Sequence, residues 1–187
     1  MSWIAFAVAT WVCFGLETGL RDALRLGTGG VAPSFVVPLL CFISMHASPR
    51  EVVRAALVLG LVADLTSAQA LVPAEYATIV GPHVLAYAVA AQLVLALRGV
   101  VISQNPLTLG VLSVPASLVI TIVTTALLTI RSFYDPVAIA PSHDLLQGLG
   151  TALFSGVSAI ALALVLFPMS WAFGFHSRPP ARFFSRR

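Results

Sequence analysis

The sequence predicts an all-α polytopic membrane protein with six transmembrane helices, and two observations carry that prediction. Of its 187 residues, 59% are hydrophobic and only 9% are charged, and the mean hydropathy is +0.99. Soluble chains carry about 25% charged residues, so a larger core cannot account for the deficit. The second observation is spacing. Six apolar runs approach the ~20 residues needed to cross ~30 Å of hydrocarbon, and polar, Gly- or Pro-containing turns separate them.

The first run, Trp3 to Leu20, has signal-peptide length, but no basic residue precedes it and no small-residue cleavage site follows, so it reads as a retained span. Near its end Glu17, Arg21, Asp22 and Arg25 fall at i, i+4, i+5 and i+8. If the helix continues through Leu26, Glu17 pairs with Arg21 and the arginines line one face. That cluster is either a solvated helix end or a docking surface for an extracytoplasmic partner. The second run, Gly30 to Met45, is short and holds Pro33 and Pro38. Proline removes backbone donors, which predicts a kinked helix inside a bundle, where neighbours satisfy the freed carbonyls.

The third run, Val52 to Leu65, is also short and ends at Asp64, with Thr66 and Ser67 just beyond. A carboxylate at the end of an apolar helix is costly unless paired, hydrated or capping, and the expected role of Asp64 is to cap the 65–70 turn. A short hairpin or half-helix then runs to Thr78. In the fourth run, Gly81 to Leu97, His83 and Tyr87 are one turn apart, and Gln92 lies deeper on a neighbouring face. Such groups serve as hydrogen-bonding glue between helices or line a small-molecule pocket. The fifth run, Leu107 to Ile130, carries Ser113, Ser117, Thr121, Thr125 and Thr129 at every fourth position. The sixth, Leu145 to Trp171, carries Gly148, Ala152 and Gly156, with Ser155, Ala159 and Ala163 on an adjacent ridge. Small residues in rows let helix backbones approach closely, which predicts packing of spans five and six or a heteromeric interface.

Arginines set the expected orientation. Arg50, Arg54, Arg98, Arg178, Arg182, Arg186 and Arg187 fall on one side, and Arg21, Arg25 and Arg131 on the other. That excess predicts a multi-pass membrane protein with both termini in the cytoplasm. The expected organisation is a transmembrane domain over residues 1–176 and a basic tail over 177–187, whose Phe183 and Phe184 among arginines suit an anionic leaflet or a partner. With ten Arg, no Lys and a net charge of +3, the chain is too sparsely basic for a nucleic-acid footprint. The acidic residues do not pair at i,i+3 or i,i+4, and His46, His83, His143 and His176 stand apart near helix ends. Cys13 and Cys41 sit singly in apolar runs as small hydrophobes. The expectation is a protein with no catalytic, metal or cofactor-binding constellation, and not an enzyme.

The segment from Gly60 to Arg98 resembles the rod shape-determining MreD family, with Gly60, Asp64, Leu65, Ser67, Tyr87 and Arg98 at that family's characteristic places. The stretch LVPAEYATIVGPH, residues 71–83, departs from its usual Leu-Gly turn. The resemblance implies a non-catalytic scaffold subunit of the cell-wall elongation machinery. Its partner would be the bitopic protein MreC and, through it, a peptidoglycan polymerase and transpeptidase. It also implies a bundle like the S components of energy-coupling-factor vitamin transporters. The alternative expectation is therefore a small-molecule-binding S component whose pocket opens outward near residues 64–87.

Overall fold

The computed structural model describes residues 1–25, 30–71, 75–99, 105–134 and 141–175. It is a helical protein: α1 (Trp3–Leu20), α2 (Val36–His46), α3 (Pro49–Thr66), α4 (Pro82–Leu97), α5 (Pro106–Arg131) and α6 (Pro141–Leu166), followed by a 3-10 turn over Pro168–Phe173. Between α3 and α4 a small antiparallel hairpin pairs β1 (Ala68–Leu71) with β2 (Glu75–Thr78), Ala68 opposite Thr78. Of the two forms expected there, the hairpin is the one seen. The tail arginines Arg178, Arg182, Arg186 and Arg187, like Phe183, Phe184 and His176, lie outside the described residues.

Helix α1 has the predicted bounds and buries only a narrow stripe, Phe6, Thr10 and Cys13, while Ile4 and Trp11 are about four-fifths exposed at 80% and 81%. The helix ends before Leu26, which itself lies outside the described residues. The helix stops at Leu20, residues 21–24 form a turn, and Arg25 reaches Asp22 at 3.9 Å. Glu17 has turned inward, so the expected charged face does not form.

Helix α2 corrects the second predicted run. Residues 30–35 precede the helix, and Pro38 falls in its first turn, where a backbone N–H has no intrahelical partner in any case, so no kink follows. At 1.5 Å per residue its 11 residues cover roughly 16 Å, too little to cross a membrane alone. Every residue from Val36 to Met45 is buried, and α2 packs against all five other helices. It is the core.

Three helices, α1, α5 and α6, are long and apolar enough to cross a membrane, whereas α2 and α4 are apolar but shorter. Helix α3 has sufficient length but carries Arg50, Glu51, Arg54 and Asp64. It opens at Ser48, whose N–H and hydroxyl both donate to Glu51 Oε2 at 3.2 and 2.9 Å. The sixth predicted run breaks at Pro168, whose ring cannot continue the α-helical ladder; the chain tightens into the 3-10 turn and closes at Gly174.

Close backbone approach organises two helix pairs. A Cβ on Gly60 of α3 would stand 2.5 Å from Val84 Cα of α4, and one on Gly110 of α5 would stand 2.9 Å from the Gly156 carbonyl oxygen of α6. Gly148 lies against Thr121, and Ala152 and Ala159 are fully buried. The glycines of α6, with Gly110 and Thr121 of α5, thus serve packing of α5 on α6 within this chain.

Candidate functional site

The helix ends gathered at one end of the bundle are held by two carboxylates. Asp64, at the end of α3, is fully buried and does not cap the 65–70 turn as expected. It reaches across to the start of α4, accepting from the backbone N–H groups of Gly81 (2.7 Å), His83 (3.0 Å) and Val84 (3.3 Å) and lying 2.8 Å from His83 Nδ1. Four donors offset the cost of burying the carboxylate, and a negative group suits the positive end of the α4 dipole. Gly81 makes this possible. Its φ of +130° is open to glycine and strained for other residues, and it turns the peptide N–H toward Asp64. Ser67 instead donates to the Ala63 carbonyl at 2.7 Å and closes its own helix.

Glu17 does the same for α2. Its Oε2 accepts from Ser34 Oγ (3.0 Å) and from the N–H groups of Phe35 (3.1 Å) and Val36 (3.2 Å). Ser34 is further pinned by α6, donating its N–H to Ser155 Oγ at 2.8 Å and accepting from Ser158 Oγ at 3.4 Å. The sequence treats Glu17 as a solvated helix end, which the structure corrects. A signal was present: Glu17 lies seven residues after Thr10, hence on the same face, and polar groups in apolar helices face the protein interior.

Between these two capped ends lies a cavity of about 280 Å³ to which all six helices or their lead-ins contribute. Glu17, Thr18 and Arg21 come from the end of α1, Thr66 and Ser67 from the end of α3, His83 and Tyr87 from α4, Ser117, Ile120 and Thr121 from α5, and Thr151 from α6. Ser117 is near the middle of α5, roughly 21 Å along the helix from Arg131 at 1.5 Å per residue, so the cavity penetrates deep into the bundle.

The structure thus brings together Asp64, Ser67, His83, Tyr87, Ser117 and Thr121, and it adds Glu17, Ser34 and Thr151. Other expected residues are elsewhere. Gln92 is exposed on α4 and has no hydrogen-bond partner among the described residues. Ser113, Thr121 and Thr129 donate back to the carbonyls of Leu109, Ser117 and Thr125, so these hydroxyls donate within their own helix. Thr125 is buried without lining the cavity. Arg50 and Arg54 are exposed at the opposite end, whereas Arg98 donates to the carbonyls of Ala47 (2.7 Å) and Ser44 (3.4 Å) at the end of α2. Arg98, expected from the sequence to set topology, is thus a C-terminal cap of α2. Beside it the rings of Phe42, His46, Phe173 and Phe175 pack together, with His46 stacked on Phe175 at 5.5 Å. Compared with models of protein families, with curated proteins and with solved structures, the chain matches none.

Proposed function

We propose that this protein is a non-catalytic scaffold subunit of the cell-wall elongation machinery, of the MreD kind, acting in regulation of cell shape. In this reading its six helices sit in the bacterial cytoplasmic membrane with both ends of the chain in the cytoplasm. The carrying observation is the use made of the residues behind the resemblance. Gly60 admits the α4 backbone and Asp64 holds the α4 start, so the shared pattern builds a helix crossing and the Asp64 carboxylate is taken up in holding it. The wide apolar faces left on α1 and α6 suit lipid or the single span of a bitopic partner. To test this, the tagged full chain is isolated in mild detergent. An MreC-like coiled-coil protein and wall synthases are expected to co-purify, and their absence, with depleted cells keeping their shape, sinks the reading.

The cavity supports a second reading, a small-molecule-binding S component of an energy-coupling-factor type transporter. That reading expects a transporter ATPase module in the same isolate and a bound small molecule detectable by mass spectrometry.

A further inference from the structure

The chemistry of the cavity narrows what it can hold. Helix N-termini attract anions, and two of them, those of α2 and α4, abut this space. Both are already occupied by the chain's own carboxylates, so an incoming anion would find the backbone donors taken and two negative groups beside it. A cation fares no better. Glu17 Oε2 already accepts from Ser34, Phe35 and Val36, and Arg21 stands exposed at the end of the cavity where α1 ends, so a second cation meets a like charge there. The remaining capacity is neutral and two-sided. Tyr87 and Ser117 are each only 4% exposed and line the cavity, yet neither side chain has a hydrogen-bond partner among the described residues. Glu17 Oε1 and His83 Nε2 are likewise unpaired, because Oε2 and Nδ1 make all the bonds these two side chains form. Both hydroxyls open onto the cavity and are available to whatever enters it, whereas the partnerless hydroxyls closed off from it, those of Thr10, Ser44 and Thr124, do not line it.

We propose that this cavity binds a small uncharged molecule of the amide class, which offers an acceptor oxygen and a donor nitrogen on one carbon. Tyr87 and Ser117 donate to its carbonyl, and the free carboxylate oxygen of Glu17 accepts from its nitrogen. The volume holds about nine water molecules at ~30 Å³ each, which sets the scale at roughly ten non-hydrogen atoms. This inference rests on the second reading of function and is independent of the scaffold reading.

Three probes of one shape and different charge test it on the full chain in detergent: benzamide, benzoate and benzamidine, read by the shift in thermal unfolding midpoint and by equilibrium titration. Benzamide is expected to raise the midpoint at millimolar concentration while the other two leave it unchanged. Tyr87→Phe is expected to weaken benzamide binding roughly 2- to 10-fold without unfolding the protein, the loss of one hydroxyl bond. Ser117→Phe, which fills the space, is expected to abolish it. If benzoate or benzamidine binds as well as benzamide, the uncharged class is wrong although a binding cavity remains. If none of the three binds, or Tyr87→Phe binds benzamide unchanged, the site itself is refuted.

Discussion

At the scale of single residues, the protein is organised by carboxylates that cap helices other than their own. Asp64 and Glu17 sit at the ends of α3 and α1 and satisfy the first N–H groups of α4 and α2. In a membrane those N–H groups have no water to turn to, so each carboxylate replaces solvent for a neighbouring helix. Asp64→Ala leaves three backbone donors and His83 without their acceptor and is expected to cost about 3 kcal/mol or more. Asp64→Asn keeps one acceptor oxygen and is expected to cost roughly half of that, while Ser67→Ala, which removes a bond within its own turn, costs under ~1 kcal/mol. Unfolding in detergent monitored by tryptophan fluorescence orders the three; equal losses for Asp64→Ala and Ser67→Ala would remove the capping role. That a carboxylate here needed partners was legible from an ionisable group ending an apolar run. Which partners it had was not, because the three N–H groups lie 17 to 20 residues away across the hairpin.

At the scale of elements, short and long helices do different work. Helix α2 is buried all round, as an evenly hydrophobic helix should be, and its neighbours supply the surface that faces the surroundings. Its start is pinned by Glu17 and Ser155 and its end by Arg98, so both termini are satisfied by side chains from other helices. The α3–α4 crossing depends on Gly60. Gly60→Ala drives a methyl group into the α4 backbone and is expected to destabilise by about 1–3 kcal/mol, displacing the Asp64 contacts with it. Gly15→Ala on α1 meets nothing within 4 Å and is expected to be neutral or to gain up to ~1 kcal/mol in helix propensity. Parallel melting curves decide; similar behaviour of the two alanines would show that the crossing tolerates a side chain. The Gly, Ala and Ser rows marked α5 and α6 as close packers in the sequence, but the α5 residues that meet the α6 glycines are Gly110, Val114 and Thr121, of which only Thr121 belongs to the hydroxyl series.

At the scale of the whole molecule, the bundle has a carboxylate-capped end with a cavity and an opposite end closed by aromatic rings and Arg98. The proposed orientation places the cavity on the outer side. A membrane-impermeant maleimide is expected to label Asp22→Cys in intact cells and Arg54→Cys only after permeabilisation, the native Cys13 and Cys41 being buried. The reverse pattern would invert the molecule and place the cavity toward the cytoplasm. Composition alone pointed to apolar helices suited to lipid, three of which are long and apolar enough to cross a membrane, and apolar run lengths placed most helices within a few residues. The sequence could not determine that α2 is a short central post, or that Glu17 faces inward. In a chain apolar on every side, periodicity does not separate the face toward protein from the face toward lipid. Only the tertiary structure decided it, because the difference depends on which neighbour offers a backbone donor, a glycine to pack against, or nothing.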